Sequence, residues 1–211
     1  MDLKRFLDRA EEALHRGQAE FAVELCDQVL EFAPGEARAG GLMARALLEC
    51  RHRKGFLGRL GAGPASLAAR LSQLTRNPDA EARSRRRAFM RHPADPQKGF
   101  LWGEALEKAG YAAAALSVFA TLAENDGEAA KRAGALAAAQ GDTAQALEFY
   151  QQALDSNPRD TEALRARKNL AAEEALRTQR YSEVDDSRDL VPDQEAFRRA
   201  ARGEEPPADP G

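Results

Sequence analysis

The side chains best suited to metal or acid–base chemistry in this 211-residue chain are His15, His52, His92, Cys26 and Cys50. Glu12 lies three residues before His15, a spacing that helical bundles use to hold pairs of metal ions. That chemistry needs a second such pair and further carboxylates, and none follows. His52 stands two residues after Cys50, yet no other cysteine or histidine completes a zinc set. His15 falls instead near the end of a helical pattern, where an imidazolium favours the helix dipole. Paired carboxylates such as Glu11 and Glu12 read as helix surface, and no serine or cysteine sits in a nucleophile motif. The expectation is a chain that is not an enzyme and takes no metal or cofactor. Both cysteines lie inside helical patterns, so they read either as small buried hydrophobes or as a disulfide or redox pair.

The stretch RHRKGFLGRLGAGP, residues 51–64, packs four basic side chains and four glycines into fourteen positions. A phosphate-binding loop needs Gly, four residues and then Gly-Lys-Ser/Thr, and GRLGAGP ends in proline instead. The dinucleotide fingerprint needs a third glycine and a preceding strand; Ser66 stands in that place and no strand precedes it. What remains is a basic connector that Gly61, Gly63 and Pro64 allow to bend. Its Arg51, Arg53, Lys54 and Arg59, with Arg83, Arg85, Arg86, Arg87 and Arg91, make one of two things. They form a solvated surface, or they form a patch for an acidic protein segment, the chain's own acidic tail included, or for a nucleic acid. An acidic chain with only Phe56 and Phe89 nearby for stacking disfavours nucleic acid.

Charge is distributed unevenly. Residues 1–50 carry a net −4, residues 51–92 a net +9 and residues 93–211 a net −8. Alanine, leucine, glutamate and arginine dominate, which favours helix because these side chains lose little rotamer freedom there. The start, MDLKRFLDRAEEALHRG, does not read as a signal peptide. The most apolar run, YAAAALSVFATLA, is too short for a membrane span. A cytoplasmic protein without membrane contact is the expectation.

The elements that position these residues repeat. Three stretches align without gaps: RGQAEFAVELCDQVLEFAP (16–34), AGYAAAALSVFATLAENDG (109–127) and QGDTAQALEFYQQALDSNP (140–158). Each has a glycine at its second position (Gly17, Gly110, Gly141) and an alanine at its seventh (Ala22, Ala115, Ala146). Four residues on comes Cys26, Phe119 or Tyr150. Pro34 and Pro158 close two of the three. A glycine ends one helix in the left-handed conformation. The small alanine lets a partner helix approach, and the residue one turn later fills the space beside it. Upstream of each glycine lies a further helical pattern, with a small residue seven positions before it: Ala10, Gly103 and Gly134. The unit is helix, tight turn, helix, and such hairpins bury their apolar face by stacking.

This arrangement resembles the tetratricopeptide repeat (TPR) family. The family's small first-helix residue matches Ala10, Gly103 and Gly134. Its turn glycine matches Gly17, Gly110 and Gly141, its second-helix alanine matches Ala22, Ala115 and Ala146, and its closing proline matches Pro34 and Pro158. The resemblance implies an all-α superhelical array of helical hairpins. It also implies a scaffold or adaptor that holds a peptide or helix of an unidentified protein in a groove lined by first helices. One subclass grips a C-terminal carboxylate with Lys, Arg and Asn at set positions. Of these, the first helices here carry Lys4, Arg5 and Arg9 and no asparagine. Trp102 is a candidate for the groove or for packing between helices.

The expected organisation is four-part. Residues 1–50 form N-terminal TPR-like helices, 51–95 a basic irregular middle, 96–180 C-terminal repeats with a capping helix, and 181–211 an acidic disordered tail. EARAGGLMARALLEC (36–50) reads as the first helix of a second repeat, whose second helix would be ASLAARLSQLTRNP (65–78), with 51–64 as a loop insertion between them. PDAEARSRRRAFMRHP adds one more helix. TEALRARKNLAAEEALRTQRY (161–181) reads as the terminal helix. In the tail, Leu190, Val191 and Phe197 within an acidic context suggest a short segment that docks on this protein or another; the proline-rich end GEEPPADPG reads as disordered. The alternative function is anion or nucleic-acid binding through the basic segment 51–91.

Overall fold

The computed structural model describes residues 2–50 and 77–189, with side chains to Thr178. The described residues are helical, without strands: α1 (Leu3–His15), α2 (Ala19–Phe32), α3 (Ala37–Cys50), α4 (Pro78–Arg91), α5 (Pro96–Lys108), α6 (Ala112–Ala123), α7 (Gly127–Ala139), α8 (Thr143–Ser156) and α9 (Thr161–Asp189). The chain divides into two compact units, Met1–Arg167 and Lys168–Gly211.

Local chemistry accounts for where these helices begin and end. Asp2, Asn77, Asp95, Asp126 and Asp142 each accept a backbone N–H of the first turn that follows them. Pro78 and Pro96 occupy the first helical position, where a missing N–H costs nothing. The three repeat glycines do what their spacing predicts: Gly17, Gly110 and Gly141 take φ of 71°, 84° and 81°. Around Gly17, the Gly17 N–H donates to the Leu14 carbonyl and the Gln18 N–H to the Ala13 carbonyl, both at 2.8 Å. That is the left-handed glycine stop with two of its terminal carbonyls satisfied, and it recurs at Gly110–Tyr111 and Gly141–Asp142.

Packing follows the repeat. The pairs α1–α2, α5–α6 and α7–α8 are antiparallel hairpins, and α6 also packs on α7. Ala22, Ala115 and Ala146 are fully buried, as are Cys26 and Phe119 one turn beyond the first two. A Cβ placed on Gly103 would lie 2.6 Å from Cζ of Phe119, and one on Gly134 would lie 3.1 Å from the Tyr150 ring. The small first-helix residue therefore exists to admit the aromatic of the second helix. The N-terminal hairpin has the milder combination at the equivalent positions, Ala10 with Cys26.

One packing relation is not apparent in the repeat spacing. Helix α3 lies against α2 on one side and against α6 on the other, far along the chain. Gly40 and Gly41 make this possible. A Cβ on Gly40 would meet the Ala114 carbonyl and Val118 at 3.4 Å, and one on Gly41 would meet Cβ of Ser117 at 3.3 Å. The Tyr111 ring, at the start of α6, covers Gly35 just before α3. Thus α6, from a later hairpin, lies directly beside α3. Residues 65–76 of the expected second helix, the loop 51–64 and the tail from Leu190 onward lie outside the described residues, while Asn77 and Pro78 open α4. The predicted extra helix is present as α4, packed on α5.

Helix α9 runs past Tyr181 to Asp189, so the acidic run Glu183, Asp185, Asp186 and Asp189 lies on a helix rather than in an irregular tail. The reason is compositional: no glycine or proline interrupts residues 161–189, and Pro192 is the first breaker. Among the described residues no helix is long and apolar enough to cross a membrane.

Candidate functional site

Helix α5 presents two faces. Gly99, Trp102, Gly103 and Leu106 point into the core. Trp102 is 1% exposed, with its ring centroid 6.3 Å from that of Phe89. Of the two readings of Trp102, the structure takes packing between helices. One residue round the helix, Leu101, Glu104, Ala105 and Lys108 recur at i, i+3, i+4 and i+7 and line an open cleft of about 460 Å³. Its other walls are Glu81 and Arg85 of α4, Glu107 of α5 and Arg132 of α7. Helices α5 and α7 are the first helices of their hairpins.

The charges of the cleft are arranged across helices. Lys108 Nζ reaches Glu81 of α4 at 2.7 Å, and Arg132 of α7 reaches Glu107 at 2.7 Å. Arg85 leans on Glu81 at 3.8 Å. Glu104 is half-buried in the wall and has no ion-pair partner among the described residues.

The described arginines that the sequence singles out on α4 point to different surroundings. Arg86 is 2% exposed: its guanidinium hydrogen-bonds Glu31 and lies 2.9 Å from Asp27 Oδ1, both on α2. Burial lowers the Arg86 pKa and raises that of Asp27, and each partner's charge opposes the shift of the other. Arg87 is exposed and pairs with Glu31 at 3.2 Å. Arg83 is half-buried, close enough to influence Tyr111, whose phenol is raised by its hydrogen bond to Asp79. Arg51, Arg53 and Lys54 lie outside the described residues. Lys4, Arg5 and Arg9 are exposed on α1, with Arg9 over the Phe21 ring at 5.8 Å, and none of them reaches the cleft.

Sequence reading missed Leu101, Glu104, Lys108 and Arg132. The signal was present in the Glu104–Lys108 spacing, an i,i+4 pair beside the core positions Trp102 and Gly103. Both cysteines are buried, and burial pushes the Cys26 thiol up to about 12, which suits packing rather than redox chemistry. Among the described residues no three His, Cys, Asp and Glu side chains gather as a metal would require.

No family model matches the chain, and no curated protein does. Among solved structures, the chain is similar to the MamA RS-1 ArsTM double mutant at 16% identity, over 92% of this chain and 99% of that one, with a TM-score of 0.41. It is also similar to a thermophilic TPR protein of Thermus thermophilus at 16% identity, over 81% and 97%, with a TM-score of 0.33. The hairpins themselves define the architecture: left-handed glycine turns, small residues opposite aromatics, and first helices beside an open cleft. The described residues form a TPR-like helical repeat.

Proposed function

We propose that this protein is an interaction scaffold or adaptor, binding a peptide or helix of a protein partner in the cleft between α4, α5 and α7. One observation carries the reading. The apolar faces of α5 and α7 are spent on packing, and the remaining stripe of α5, with Arg132 of α7, opens onto a cleft of about 460 Å³ whose charges bridge three helices. Such a surface suits recognition by complementary side chains rather than bond-making chemistry. The alternative, anion or nucleic-acid binding through 51–91, draws on α4 arginines of which Arg86 and Arg87 already face Asp27 and Glu31.

The test is a photo-crosslinking residue at Leu101 compared with one at Gln28, on the exposed face of α2. Protein adducts are expected from position 101 and not from position 28. Equal labelling from both positions, or adducts to nucleic acid alone, would contradict the reading.

A further inference from the structure

Glu104 sits four residues before Lys108 on α5, the orientation in which a helix favours an ion pair. That pair does not form. Lys108 turns across to Glu81 of α4, at 2.7 Å, and Arg132 is taken by Glu107. Arg85, the third base of the cleft, leans on the same Glu81. Every base in the cleft is thus directed at one of the other two acids, and the half-buried Glu104 lines the cleft with no counter-ion among the described residues. Leu101 and the buried Ala105 flank it on the same stripe, the two apolar residues in an otherwise charged lining.

We infer that Glu104 is the specificity-determining residue of this cleft, and that the occupant is a protein segment presenting an arginine or lysine to it between small or apolar side chains. This rests on the cleft being the peptide site proposed above. The physical basis is charge complementarity. A basic side chain arriving at Glu104 forms a charge-assisted hydrogen bond that the protein has left unmade. An acidic one meets a like charge at that position. Glu104 makes no internal ion pair, so its replacement leaves the fold's own ion pairs intact.

The experiment uses the full chain and random decapeptides displayed on phage, selected in parallel against the wild type, Glu104→Gln and Glu104→Lys. Binding at the cleft is scored by photo-crosslinking of the enriched peptides from position 101. The expected result is a wild-type pool with Lys or Arg at a fixed position, and a loss of about tenfold in the affinity of its synthetic peptides on Glu104→Gln. Glu104→Lys should select Asp or Glu instead. Cleft-directed peptides without a basic preference would overturn the role of Glu104 and leave the cleft as a peptide site. If no enriched peptide crosslinks from position 101, the peptide-site reading fails and this inference fails with it. Circular dichroism of both variants, expected to match the wild type, separates lost recognition from lost fold.

Discussion

Gly103 leaves no room for a methyl group, because the Phe119 ring occupies the space where one would go. Phe119 is fully buried and braced by Phe100, its ring centroid 5.3 Å away, so it cannot swing aside. Gly103→Ala should therefore destabilise the protein by roughly 1–3 kcal/mol, read as a lowered midpoint in thermal or urea unfolding, as overpacked cores generally do. Adding Phe119→Leu to that variant should recover part of the loss. An unchanged midpoint for Gly103→Ala would refute the steric account. Arg86 supplies the electrostatic counterpart. Arg86→Ala leaves Asp27 facing Glu31 in partly buried surroundings, and breaking a buried pair from one side costs on the order of 3–5 kcal/mol. The double variant Arg86→Met with Asp27→Leu should be closer to the wild type in urea unfolding than Arg86→Ala is. A double variant less stable than the single one would mean that the charge pair itself holds α4 to α2. The small residues were legible in sequence because their spacing repeats. Arg86 was not: on α4 it stands in a run of three arginines, and only tertiary placement distinguishes the buried one from its exposed neighbour Arg87.

Helices carry their own tests. Asp160 accepts the N–H groups of Glu162 and Ala163 at the start of α9 and meets Lys131 of α7 at 3.0 Å. The Ala163 N–H, and then Lys131, hold its carboxyl below the ordinary range. A depressed carboxylate contributes stability that is present above its unfolded pKa, about 3.9, and is lost as pH falls through the folded value. Asp160→Asn keeps the capping geometry and removes the titration. Its thermal midpoint should fall less than that of the wild type when pH is taken from neutral to below about 4. Parallel acid profiles for the two proteins would show that Asp160 contributes nothing to acid sensitivity. The limits of the helices were largely readable in sequence, since Asp, Asn, Pro and Gly at their ends act locally. The far end of α9 was not, because the acidic composition after Tyr181 reads as a tail while the backbone meets no breaker before Pro192.

At the scale of the unit Met1–Arg167, one adjacency decides the architecture. Hairpins are local and announce themselves through spacing, so α1–α2, α5–α6 and α7–α8 could be drawn from the sequence alone. Nothing local announces that α3 lies on α6. The hint is the pair Gly40–Gly41 inside a helix, where glycine is unfavourable unless another backbone must come close. That contact joins the N-terminal helices to the later hairpins and makes one array of what the sequence presents as two blocks. The direct measurement is disulfide trapping with Gly41→Cys and Ser117→Cys, where Cβ atoms 3.3 Å apart sit just below the usual range for a bridge. Mild oxidation of the folded protein should join residues 41 and 117, mapped by peptide mass spectrometry. Oxidation that leaves both thiols reduced in a folded protein, or that joins residue 41 elsewhere, would contradict the array.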